Sequence, residues 1–175
     1  MKKTFLYPFL AFIPFYMSSC LLNLTTVTGS GEIITEKRIL SDFKAVELLG
    51  AADIEIVKGD SMEVFISDYE NLLEYQSLEV NKEILEISNT PKTAILLNSK
   101  AKVKIILPET LYSLVLTGSG DAVIKSTYND LKLLKIVGSG NIDLQGESQM
   151  QDVEVVIAGS GDITAKGTAK NLTAK

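Results

Sequence analysis

The chain has 175 residues, 46% of them hydrophobic, with 17 basic against 22 acidic side chains and a net charge of −5. That length and apolar content suit one domain with a buried core and exclude intrinsic disorder. Arg38 is the only arginine and there is no His or Trp, so nucleic acid is a poor partner and the commonest general base, metal ligand and sugar-stacking platform are missing.

Residues 1–19 form an address rather than part of the fold. Lys2 and Lys3 make a positive start, and Phe5 to Met17 is a 13-residue apolar run interrupted by Pro8 and Pro14. Such a run is too short to cross a bilayer, which takes ~20 residues. Ser18 and Ser19 then precede Cys20, the only cysteine, and the segment resembles a bacterial lipoprotein signal whose final Cys is acylated and becomes the mature N-terminus. A lone thiol with no disulfide partner favours that reading over an ordinary secretory signal. Removal of residues 1–19 leaves 15 basic and 22 acidic residues, a charge of −7. Residues 20–30 are expected to be the lipidated N-terminus and its tether, and 31–175 the domain.

Along that domain, apolar residues alternate with others in short runs. Val46 and Leu48 precede Gly50-Ala51-Ala52-Asp53, and Ile54 and Ile56 follow it. Glu63–Ser67, Leu78–Asn81, Ile84–Ser88 and Ala101–Leu107 also predict strands, with a short helical turn around Glu70–Leu73. The charged stretch Lys92–Lys104 suits a strand with one wet face. Gly-Ser-Gly occurs at Gly29–Gly31, Gly118–Gly120, Gly138–Gly140 and Gly159–Gly161, the last three copies 20 and 21 residues apart. Aliphatic pairs flank those three copies on both sides, and Asp121, Asn141 or Asp162 follows directly; Gly50–Asp53 is a degenerate copy.

Each repeat therefore holds two strands and two turns. The expected fold is all-β, a right-handed parallel β-solenoid with like residues stacked over like; the alternative is an antiparallel meander or sandwich in which the triplets cap hairpins. In the solenoid, Gly50, Gly118, Gly120, Gly138, Gly140, Gly159 and Gly161 are structural turn residues. Asp53, Asp121, Asn141 and Asp162 are expected to close those turns through local backbone donors.

The segments Asp42–Val46, Gly50–Gly59 and Val103–Pro108, together with the Gly-Ser-Gly series, resemble the putative auto-transporter adhesin, head GIN domain family of bacterial exported proteins, over roughly Gly31 to Lys175. The resemblance implies a pectin-lyase-like solenoid shape and a role in cell adhesion, and brings no catalytic residues with it. Leu172 sits where Leu131 and Val153 begin earlier repeats, so a further glycine turn is expected near position 178 or 179. The domain is accordingly expected to lack further C-terminal coils, and an uncapped edge there invites self-association.

Three functions compete. The favoured one is a non-catalytic adhesion or scaffolding module, anchored to the outer membrane of the cell envelope by lipid on Cys20, with a cell-surface protein or glycan as ligand. A polysaccharide-binding or polysaccharide-cleaving β-helix protein is the alternative, but no consistent row of acids or bases accompanies the repeats. A cation ladder on Asp53, Asp121, Asn141 and Asp162 would offer too few ligands per ion at a spacing of about 20 residues, so no metal or cofactor is expected.

Overall fold

A computed structural model describes residues 25–108 and 110–175; the signal and Cys20 lie outside them. In chain order the strands are β1 (Thr25–Thr28), β2 (Ile33–Arg38), β3 (Ala45–Gly50), β4 (Asp53–Lys58), β5 (Glu63–Tyr69), β6 (Gln76–Asn81), β7 (Ile84–Asn89), β8 (Ala94–Leu97), β9 (Lys102–Leu107), β10 (Ser113–Gly118), β11 (Ala122–Ile124), β12 (Leu133–Gly138), β13 (Ile142–Gly159) and β14 (Ile163–Ala174). A 3-10 helix, Glu70–Tyr75, joins β5 to β6, where the sequence predicts a helical turn.

The period-two pattern decides which side chains go inside. Ile54 and Ile56 of β4, Val64 and Ile66 of β5, and Val103 and Ile105 of β9 are buried, while their neighbours face outward. Twelve strands make one mixed sheet in the order β2-β5-β9-β4-β11-β13-β12-β10-β3-β7-β6, with β14 on β13, and it curls into a nearly closed, barrel-like form. The 18-residue β13 turns the sheet back on itself, because its first residues pair with β11 and its last with β12. Two arms result, β2-β5-β9-β4-β11 and β6-β7-β3-β10-β12, and their inward residues share one core.

The all-β expectation holds, but the parallel solenoid does not. Parallel, in-register stacking is present where the repeats are strong, so that Gly50, Gly118, Gly138 and Gly159 align across β3, β10, β12 and β13. Elsewhere three pairs run antiparallel: β2 with β5, β5 with β9, and β6 with β7. The β6–β7 pair has a direct cause. Only Lys82 and Glu83 separate these strands, both at positive φ (51° and 63°), and a two-residue turn of that kind returns the chain beside itself. β9 then enters between β5 and β4, parallel to β4 but antiparallel to β5, so the layers do not follow chain order. Antiparallel pairing, which a meander or sandwich would need throughout, is confined to those three pairs.

Residues Thr25–Thr28, within the expected tether, form β1 and pair in parallel with β8 in a separate two-stranded sheet. Gly29 N–H donates to Leu97 O at 2.8 Å, Asn71 Nδ2 donates to Thr28 O at 2.9 Å, and Ser30 N–H donates to Asn71 Oδ1 at 2.9 Å. The chain is thus fastened to the domain from β1 onward.

Candidate functional site

The glycine turns form one corner of the fold. A Cβ built on Gly138, where φ is +138°, falls on the carbonyl oxygen of Gly118; one on Gly118 falls on Gly50 O, and one on Gly159 on Gly138 O. Gly120, Gly140 and Gly161 lie equally close to Ala52 O, Gly120 O and Gly140 O of the preceding layer. Gly50 also has positive φ, +153°, but open space beside it.

Three of the four polar side chains expected to close these turns, those of Asp53, Asp121 and Asn141, act between layers instead, and Asp162 joins through its N–H. Asp53 Oδ1 accepts from Asp121 N–H (3.4 Å), Asp121 Oδ1 accepts from Asn141 N–H (2.8 Å), and Asn141 Oδ1 accepts from Asp162 N–H (3.0 Å). Asn141 Nδ2 also donates to Asp121 Oδ1 at 2.9 Å. Each of these three side chains therefore ties its layer to the next through a backbone amide. Among the described residues, no group of three or more acidic, His or Cys side chains is gathered as a metal site would require.

A groove of about 610 Å³ crosses the outer face of the first arm. Strand register aligns two outward rows there. One runs Lys37, Phe65, Lys104, Glu55, Val123 and Asp143 over six successive strands; the other runs Thr35, Ser67, Lys102 and Asp53, ending beside Asp121. Lys125 Nζ lies 2.7 Å and Lys104 Nζ 4.0 Å from Glu55 carboxylate oxygens, so Glu55 is already engaged by cations. Lys102 has no carboxylate within 4.0 Å among the described residues. Lys37 Nζ lies 5.7 Å from the centre of the Phe65 ring. The result is a shallow surface with two separate apolar side chains, Phe65 and Val123, a free ammonium group and carboxylates already used in structural bonds.

The sequence reading missed this groove, because its residues come from β2, β4, β5, β9 and β11 and only the mixed pairing brings them together. It also passed over Asp68. The alternation Val64, Ile66, Asp68 carries that carboxylate inside, fully buried, where it accepts from Tyr69 N–H (2.8 Å), Lys100 N–H (2.8 Å), Ser99 Oγ (2.7 Å) and Gln76 Nε2 (3.0 Å). These bonds hold the segment after β8 against β5 and the start of β6. Tyr128 is buried in the core, and Tyr112 lies exposed under Lys132 Nζ, 5.1 Å from its ring centre. Arg38 pairs with Glu36 at 2.9 Å, outside the groove.

An all-β domain of one nearly closed mixed sheet, with stacked glycine turns at one corner and a groove on one arm, is the class that fold and site define. The sequence model of the putative auto-transporter adhesin, head GIN domain family matches residues 42–175, and the chain belongs to that family. Comparison with curated proteins finds no match. Among solved structures, the chain is similar to a "putative lipid binding protein" from Parabacteroides distasonis, at 27% identity and a TM-score of 0.77 over 86% of this chain. It spans 65% of that protein's length. A "putative adhesin" from the same species aligns at 23% identity and a TM-score of 0.64, covering 82% of this chain and 69% of its own; one from Parabacteroides merdae aligns at 18% and 0.54, covering 86% and 95%. Those two show likeness of fold.

Proposed function

We propose that the protein is a non-catalytic adhesion or scaffolding module of the cell envelope, held to a membrane by lipid on Cys20, and that it binds its partner through the groove on the first arm. The observation that carries this reading is the groove itself, five strands wide on a rigid sheet, with Lys102 free beside Phe65 and Val123. Its acids support binding over hydrolysis, since Glu55 faces lysines and one oxygen each of Asp53 and Asp121 receives a backbone amide. Family membership supports adhesion. A second reading, capture of a lipid in the same groove, draws on its apolar side chains Phe65 and Val123 and on the lipid-binding description of the P. distasonis neighbour.

Retention of domain-coated microspheres on immobilised mucin, collagen, bacterial cell-wall polysaccharide and phospholipid films tests both. Adhesion predicts retention on one of the first three that Lys102→Glu abolishes and Lys166→Glu, on β14, does not. Retention on phospholipid alone supports the lipid reading. Retention indifferent to Lys102→Glu overturns the groove as the binding face.

A further inference from the structure

We infer that the β1–β8 sheet is a membrane seat, a small apolar surface that rests on zwitterionic phospholipid and fixes which part of the domain meets the bilayer. This rests on the lipid-anchor reading of Cys20 and goes beyond it, because an anchor alone leaves the domain free to tumble.

The geometry begins with reach. Five residue steps separate Cys20 from Thr25, and whatever path they take they span at most about 18 Å. β1 is therefore kept close to the lipid headgroups, whose layer is only about 5–8 Å deep on each side of the hydrocarbon. β1 cannot swing away from the domain, because β8, Asn71 and the Leu97 carbonyl hold it, and β8 is itself held by the Asp68 bonds to Ser99 and Lys100. A short link to a rigid attachment point fixes which part of the domain meets the membrane.

That part is apolar on its outer side. Ile95 and Leu97 stand two apart on β8, hence on one face, and are 41% and 46% exposed. Their cross-strand neighbours Thr26 and Thr28 add methyl groups beside them, while Ala94 on the opposite face is buried. The surroundings decide the lipid. Lys92 is paired with Glu86 at 2.7 Å, and exposed Glu32 and Glu70 outweigh exposed Lys100, so the surface has no net attraction for anionic headgroups. Shallow insertion of apolar side chains suits neutral lipid.

Along the second arm, β6, β7, β3, β10, β12, β13 and β14 succeed one another, and β1 lies toward the β6 end, where Asn71 of the 3-10 helix before β6 bonds Thr28 and Ser30. Six strand spacings of ~4.8 Å, about 29 Å, separate β14 from β6 along the stack. Leu172 on β14, 63% exposed, is the matching apolar residue at the far end.

The chain contains no tryptophan, so a single introduced Trp reports one place. The anchored protein, extracted and reconstituted into phosphatidylcholine vesicles with and without brominated acyl chains, is compared for Ile95→Trp, Leu97→Trp, Val123→Trp and Leu172→Trp. The seat predicts a blue shift and bromine-dependent loss of emission for Trp at 95 and 97, unchanged by added salt, and neither effect at 123 or 172. Equal quenching at all four sites, or quenching at 172 and not at 95, overturns it. The mass of the N-terminal peptide reports the anchor separately. Where it carries no acyl chains the anchor reading fails, and coupling the single Cys20 thiol to a maleimide lipid then tests the seat alone, with the same outcomes deciding it.

Discussion

Gly138→Ala and Gly50→Ala impose the same chemical change on equivalent positions of the glycine corner and should differ sharply in cost. Both residues have φ in the region that side chains avoid, +138° and +153°, so each substitution brings strain of about 1–3 kcal/mol. Gly50 has open space where the methyl group would go. At Gly138 the methyl group meets the backbone of Gly118, whose C and N atoms lie 3.0 and 3.1 Å away beyond the carbonyl oxygen it overlaps. Backbone cannot rotate aside as a side chain can, and Ser139 N–H bonds that same oxygen at 2.9 Å, so the layers must part at an added cost of about 1–3 kcal/mol. For a domain of this size a 2 kcal/mol difference lowers the melting temperature by about 6 °C. Thermal unfolding followed by circular dichroism measures both variants against wild type. Gly50→Ala melting at or below Gly138→Ala would show that close stacking does not hold this corner.

Burial pushes the Tyr128 phenol up to about 12 from the ordinary 10.0, so the folded state keeps its proton after the unfolded chain has lost it. Its contribution is complete below pH 10 and is lost as pH rises through about 12, roughly 3 kcal/mol in all; Tyr128→Phe should lose less stability than wild type over that window in urea titrations. Asp68→Ala leaves four donors without their acceptor and should cost at least about 3 kcal/mol, with Asp68→Asn costing less because one oxygen remains; urea midpoints at unchanged slope read both. Cys20→Ser should move the protein from the membrane fraction to the soluble one, and a variant that stays in membranes as wild type does would contradict the anchor.

The strands were legible because each buries one face, so their alternation is written directly in runs such as Val103-Lys104-Ile105. The stacking of Gly118, Gly138 and Gly159 was legible from their spacing of 20 and 21 residues, and Gly50, which stacks on Gly118 from 68 residues away, was legible only from its similar aliphatic flanks. Pairing direction between Glu63 and Leu107 was not. It depends on Lys82 and Glu83 adopting positive φ, which neither residue type advertises as Asn-Gly would, and on β9 entering between β5 and β4. The groove was hidden with it, because Phe65, Lys102 and Glu55 become neighbours only through that mixed order. Asp68 could have been found, for an acid on the inward phase of Val64 and Ile66 must be paired or hydrogen-bonded.

Amide chemical-shift mapping during titration with whichever immobilised probe retains the domain asks most directly whether the groove is the binding face. The groove reading predicts perturbations concentrated on β4, β5, β9 and β11, around Phe65, Lys102 and Val123, and their loss in Lys102→Glu. Perturbations confined to β10 and β12 on the other arm, or to the Gly138–Asn141 and Gly159–Asp162 turns, would contradict it.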